Sequence, residues 1–285
     1  MCIRDSSYTN GDFYSRTSGR TLQPAAWPYP SLSVLPIEEY KNYATAVHGP
    51  RYSHRISVTV AKGCTWGCAY CGATEEEGKL DRRRDISEIF DWLARESIDK
   101  YECYLHLYAP DLFYDKKWMA DFCAEYVKRK STFSWRGVTT TKTLQDLELV
   151  KACGDAGCRE LAIGIEHINH KKLRPLKSTL DEIEVASKNC LAAGIKLKGL
   201  VMLGYPEQVE EDVEFIGNYL TSLGVTVRFT GYTPLQGLKF MSASDLDSIQ
   251  LDQYDRRTFY DPVRSKLSAD YFFSTISQDD GYIHA

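Results

Sequence analysis

The sequence predicts an α/β fold in which six parallel strand–helix units form an open, partial barrel. Three observations predict it. From about residue 56 to residue 232, apolar runs of strand length alternate with stretches of helical periodicity, and strict alternation of the two makes parallel units. The helix ends repeat one joint, Ala156-Gly157, Ala193-Gly194 and Leu223-Gly224, each leading into an apolar strand; glycine supplies the left-handed residue that turns the chain back. A chain of 285 residues, 43% of them hydrophobic, can also bury a barrel-sized core.

The elements follow in order. Residues 1–6 read as a translated sequencing-adapter scar, and Cys2 is left out of the reasoning with them. Residues 7–55 are rich in Ser, Tyr, Pro, Gly and Arg and read as a linker with little regular structure. Within it, Ala26-Trp27-Pro28-Tyr29-Pro30 and Leu35-Pro36 are turn or extended signals. The core runs from 56 to 240. Ile56–Lys62 is a β-rich run. Asp85-Ile86-Ser87-Glu88 fits a capping box that opens a helix to about Ser97. Strands are expected over Tyr101–Tyr108, Trp135–Thr140, Arg159–Ile165, Lys196–Leu203 and Val225–Tyr232. Helices are expected over Lys116–Arg129, from Thr143 to near Gly157, over Thr179–Ala193 and over Val209–Leu223. Residues 241–285 form a C-terminal extension with a weaker helix over Ser242–Leu251. Eight strands would close a barrel; six leave a partial (β/α)6 TIM-type barrel whose working face lies at the strands' C-terminal ends.

Composition narrows the function. A net charge of -4 gives no whole-chain reason to expect nucleic-acid binding. No apolar run approaches a membrane span and no signal peptide is visible, so a soluble cytoplasmic protein is expected. Of 9 cysteines, three crowd between positions 64 and 71. A disulfide framework would spread its cysteines through a small secreted fold, so this crowding points to a metal site in a reducing compartment.

The segment Gly63-Cys64-Thr65-Trp66-Gly67-Cys68-Ala69-Tyr70-Cys71-Gly72 follows the first strand and so sits on the working face. Its C-x3-C-x2-C spacing lets Cys64, Cys68 and Cys71 ligate three irons of a cubane and leaves the fourth open, as a catalytic cluster needs. Gly63, Gly67 and Gly72 let the backbone wrap closely. The alternative is a zinc-stabilised binding module without catalytic activity. Structural zinc wants four ligands, and no second C-x2-C pair is present; Cys153 and Cys158 are the nearest substitute, toward the opposite end of the barrel. Cys103, Cys123 and Cys190 read as small core hydrophobes.

This motif in its β/α context resembles the radical SAM superfamily, over about residues 56–235. The resemblance implies a [4Fe-4S] cluster that cleaves S-adenosylmethionine (SAM) to a 5′-deoxyadenosyl radical, which abstracts hydrogen from a small-molecule or peptide substrate. It also implies an electron donor such as flavodoxin or ferredoxin. Tyr70 takes the place of the aromatic residue near the adenine. Where the family often carries Gly-Gly-Glu for the SAM amino group, this chain has Leu107-Tyr108-Ala109-Pro110-Asp111, so Asp111 stands in. Ile163-Gly164-Ile165-Glu166 resembles the Gly-x-Glu whose carboxylate contacts SAM, and Thr139, Thr140 and Thr141 at the end of the third strand are candidates to face SAM or substrate. Gly199–Glu207 resembles the segment bordering the adenine; Gly204, Pro206 and Glu207 fit it and its second glycine is missing. His167 and His170 read mainly as a solvated loop, with substrate acid/base chemistry as the second reading. The runs Glu75-Glu76-Glu77 and Arg82-Arg83-Arg84 read as solvated, with one arginine available for a SAM or substrate carboxylate. The Pro28–Tyr40 segment resembles the interdomain linker of the cobalamin-type branch, often methyltransferases. That implies cobalamin held by a further upstream domain, against which the apolar Trp27, Leu32, Val34 and Leu35 would otherwise have only the outside of the barrel.

Overall fold

A computed structural model of the chain describes residues 6–9, 12–15, 22–37, 39, 55–98, 104–167, 178–205, 207–233, 259–262 and 265–277. Its elements, in chain order, are β1 (Ser6–Thr9), β2 (Asp12–Ser15), β3 (Arg55–Thr59), β4 (Ala61–Lys62), α1 (Ala73–Glu77), β5 (Arg82–Arg83), α2 (Ile86–Arg95), β6 (Tyr104–Tyr108), α3 (Lys116–Lys128), β7 (Ser134–Thr139), α4 (Leu147–Asp155), β8 (Cys158–Glu166), α5 (Leu180–Ala192), β9 (Lys196–Leu203), α6 (Glu210–Ser222), β10 (Thr226–Gly231) and α7 (Ala269–Ser277). Six strands form one sheet in the order β10-β9-β8-β7-β6-β3, every neighbouring pair parallel. This is the partial, open barrel the alternation predicts. Cys103, His170 and Ser242–Leu251 lie outside the described residues. Among those described, no helix is long and apolar enough to cross a membrane.

Local chemistry sets the ends of the units. Thr179 opens α5 with a full capping box, its side chain on Glu182 N and the Glu182 carboxylate on its own N–H. Asp85 opens α2 by accepting from the Ser87 and Glu88 backbone. Gly157, Gly194 and Gly224 all have positive φ; at Gly157 a Cβ would also lie 2.6 Å from the Phe133 carbonyl. Three expectations shift. The first apolar run divides at Val60, because β4 leaves the sheet to pair antiparallel with β5. The helix expected from Thr143 begins as a 3-10 turn over Thr143–Gln145 and becomes α-helical only at Leu147, because the Asp146 side chain caps Leu149 N. Ser6–Thr9 and Asp12–Ser15 pair as antiparallel strands where a scar and a linker with little regular structure were expected.

The core lies between the sheet and its helices. Leu105, Leu107, Trp135, Leu161, Ile163, Leu197 and Val201 face Phe90, Phe122, Ile183 and Leu220 in one buried cluster. Alternate residues point to the other face of the sheet, and that face is polar. Glu160 there accepts from Arg136 at 3.2 Å and Lys198 at 3.5 Å. A closed barrel would fill this space with apolar layers; here Arg136, Glu160 and Lys198 lie mostly buried in it.

The three consecutive arginines are structural. Arg84, 2% exposed, donates to the carbonyls of Thr59 (2.7 Å), Pro28 (2.9 Å) and Trp27 (3.1 Å) and stacks 3.8 Å over the Tyr29 ring. Arg82 reaches Leu22 O and Glu77 O, and Arg83 reaches Asp111 O and Leu112 O. The expectation that this run is solvated is therefore corrected: carbonyls of distant segments converge on it. Trp92 Nε1 adds a bond to Pro30 O, and the Glu96 carboxylate holds Leu32 N. Trp27 and Leu32 are buried against the barrel, whereas Val34 and Leu35 stay exposed.

Candidate active site

The site is built on the loop between β4 and α1. Gly63 has φ 94°, and any side chain there would run into the Leu80 carbonyl. The loop then folds on itself. Cys64 N donates to Gly78 O (2.9 Å), Cys71 N to Cys68 O (3.1 Å), and Thr74 Oγ1 to Cys64 O (3.3 Å). Glu77, at the end of α1, closes it: one carboxylate oxygen accepts from Gly63 N (3.2 Å), the other from the Tyr108 hydroxyl (3.0 Å). None of the three cysteines is in a disulfide; Cys68 is buried and Cys64 and Cys71 are half-buried.

Among the described residues, no three His, Cys, Asp or Glu side chains converge on one metal ion. A cubane does not ask for such convergence, because each thiolate binds a different iron. A single tetrahedral zinc would, since Zn–S bonds of ~2.3 Å bring the sulfurs within roughly 4 Å of one another. Three thiols on one glycine-rich loop, none in a disulfide, are a donor set that fits a cluster with one open iron.

Beside this loop, at the C-terminal ends of the strands, lies a cleft of about 400 Å³ lined by Tyr70, Cys71, Tyr108, Glu166, Met202 and Tyr232 among others. Burial pushes the Tyr70 phenol far above its usual range, and the Glu166 carboxylate and Cys68 thiol beside it push the same way. Glu166 ends β8 with φ 59°, at a break in register against β9 between Gly164 and Glu166. A non-glycine residue in the left-handed region is uncommon, and a bulge there re-aims the side chain. Here the aim is into the cleft. Glu76 and Glu77 also line it, and among the described residues none of its lining is Lys, Arg or His.

The other expected site residues go elsewhere. Asp111 is buried beneath the loop, with Oδ2 accepting from Trp66 Nε1 (3.0 Å) and Oδ1 from Thr139 Oγ1 (2.7 Å). Burial raises its carboxyl above the usual carboxylate range, against those two hydrogen bonds. Thr140 is buried and shares a network with Thr143, whose hydroxyl donates to Thr140 O. Gly204, with φ 74°, donates its N–H to Gln208 Oε1 and packs on Phe272. Glu207 is exposed and paired with Lys266 at 2.7 Å. None of these four lines the cleft. His167 is buried, its Nε2 3.4 Å from Asp212 Oδ2, so the solvated-loop reading is corrected for it. The solvated reading of the Glu75–Glu77 run is corrected for Glu77, half-buried on Gly63 N and the Tyr108 hydroxyl, and Tyr108 and Tyr232 were not singled out. Their only signal is position, at the ends of β6 and β10.

Residues 58–220, more than half of the chain, match the radical SAM superfamily. The chain is 24% identical over 247 residues to an uncharacterized methyltransferase of Pyrococcus horikoshii, covering 83% of this chain and 50% of that protein. It is 22% identical over 199 residues to the bacteriochlorophyllide d C-12(1)-methyltransferase of Chlorobaculum tepidum, covering 68% and 43%. It thus spans half or less of these relatives. The radical SAM methyltransferase TsrM of Kitasatospora setae, solved with cobalamin and a [4Fe-4S] cluster, superposes with a TM-score of 0.57 at 19% identity over 68% of this chain and 38% of that one. Methylornithine synthase superposes at 0.54 and 14% identity over 85% and 67%. At such identities the structural likeness speaks for the fold.

Proposed function

This chain belongs to the radical SAM superfamily, and on that premise we propose that it is the SAM-cleaving part of a radical methyltransferase. The observation that carries the proposal is the cleft. It gathers the cysteine loop, Tyr70 and Glu166 on the working face, and among the described residues its charged lining is acidic, beside three tyrosines. That lining suits the sulfonium and ammonium of SAM, which carboxylates and aromatic faces both attract.

In this reading Cys64, Cys68 and Cys71 would hold the cluster through three of its irons, with Cys71 at the wall of the cleft. Bound there, the [4Fe-4S] cluster supplies the single electron that cleaves SAM. Tyr70 walls the cofactor side and keeps water from it. Glu166 accepts hydrogen bonds from SAM, held in place by its own backbone rather than by a flexible loop. Glu77 ties the loop to Tyr108 at the edge of the cleft. The methyltransferase relatives favour methyl transfer to a small molecule or peptide as the reaction, with cobalamin as carrier and a low-potential protein as electron donor. A cytoplasmic setting keeps the thiols reduced.

Anaerobic reconstitution tests the proposal. About four irons and four sulfides per chain are expected. With a strong reductant the protein should release 5′-deoxyadenosine and methionine, and Cys68→Ala should abolish both. Bound zinc without acid-labile sulfide would establish the zinc-stabilised module instead.

A further inference from the structure

We propose that Asp111 is a positioning residue for the cysteine loop, fixing the span between Cys64 and Cys68 by holding the indole of Trp66. The inference rests on the iron–sulfur reading above. Trp66 lies between the two cysteines and next to Gly67, whose φ of 59° puts a flexible residue within the ligand spacing. A loop of this kind needs a tether if its thiols are to keep their separation when no metal is bound. Asp111 provides one from below. Oδ2 takes the indole N–H at 3.0 Å, and Oδ1 takes the Thr139 hydroxyl at 2.7 Å, which itself meets the Thr143 hydroxyl at 2.7 Å.

The tether is anchored on the barrel. Arg83 donates to Asp111 O and Leu112 O while held by Asp81, and Leu112 N donates to Val138 O at 2.9 Å. The turn that carries Asp111 is thereby fixed to the end of β7. On the other side, Lys142 Nζ lies 5.6 Å over the Trp66 ring. Asp111 is buried, and both its oxygens face protein donors. This geometry assigns the carboxylate to the loop in place of the SAM amino group, which the sequence resemblance implied.

The test uses the full chain, reconstituted anaerobically. Trp66→Phe keeps the ring and removes only the N–H; Asp111→Asn keeps the shape and loses one of the two hydrogen bonds. In each variant, cluster iron should pass to a ferrous chelator at least about fivefold faster than in the parent, as loss of a partly buried hydrogen bond to a carboxylate implies. The electron paramagnetic resonance signal of the reduced cluster should shift, while the far-ultraviolet circular dichroism stays that of the parent. SAM affinity of the loaded fraction should stay within about twofold, and the double variant should be no worse than the more severe single one, because the pair acts as one contact. Unchanged iron release in Trp66→Phe would overturn the inference. So would Asp111→Asn that retains iron as the parent does and binds SAM at least about tenfold more weakly. If Asp111→Asn does not fold, Trp66→Phe decides. A parent chain that takes up no iron and sulfide sinks the proposed function and this inference together; failure confined to the variants sinks the inference alone.

Discussion

Replacing Arg84 is the most demanding test of how the N-terminal segment is held. The guanidinium is buried and donates to three carbonyls at 2.7–3.1 Å, those of Thr59, Pro28 and Trp27, so it joins residues 22–37 to β3. Arg84→Met fills a similar volume and leaves all three acceptors without their donor. Each such loss costs about 1.5–3 kcal/mol when the donor is charged. The three share one group and do not add, so the expected total is about 3–5 kcal/mol, a large part of the ~5–15 kcal/mol that holds a domain together. Arg84→Lys keeps the charge but not the fork, and should cost about half as much. Urea denaturation of the metal-free chain, followed by circular dichroism, gives the loss. Limited proteolysis with mass spectrometry locates it: cleavage should rise within residues 22–37 before it rises in the barrel. If Arg84→Met unfolds within about 0.5 kcal/mol of the parent and residues 22–37 are cut no faster, the clamp does not exist.

Three further outcomes are expected. In the metal-free chain an alkylating reagent should modify Cys64 and Cys71 while sparing Cys123, Cys153, Cys158 and Cys190, which are buried; burial pushes the Cys190 thiol up to about 12, and mass spectrometry showing Cys158 modified before Cys71 would contradict the packing. Glu166→Gln should weaken SAM binding by roughly 1.5–3 kcal/mol, read by calorimetry, with iron content unchanged; Glu166→Gly should bind SAM as weakly yet fold at least as stably, since glycine relieves the left-handed backbone. Asp85→Ala should cost about 1 kcal/mol at neutral pH through its lost helix cap. The Ser87 hydrogen bond holds the folded Asp85 carboxyl below its ordinary value, so this contribution is present above the unfolded value and disappears as pH falls through the folded one; a difference between parent and variant that grows toward acid would refute it.

Much of this was legible in the chain because it is local. The Ala-Gly joints, the Thr179 and Asp85 caps and the alternation of strand and helix depend on residues within a few positions of one another. Element boundaries moved where a nearby group competed, as Asp146 did by capping α4 in place of Thr143. The cysteine motif was equally readable, since its ligand spacing is a property of eight consecutive residues. Glu166 was singled out by its Gly-x-Glu segment at a strand end, but its positive φ was not, because that depends on register against β9.

The sequence by itself determined the parallel α/β architecture, the three-thiol loop after the first strand and the face on which chemistry would sit. Each follows from periodicity or spacing, which act over short stretches of chain. Only the tertiary structure decided where long-range side chains go. It turned Arg82, Arg83 and Arg84 into carbonyl clamps, aimed Asp111 at Trp66, paired Glu207 with Lys266 on the surface and buried His167 beside Asp212. Their partners lie up to some 60 residues away, and a charged or polar side chain is compatible with water, a ligand or a buried partner alike until packing brings one of them within hydrogen-bond reach.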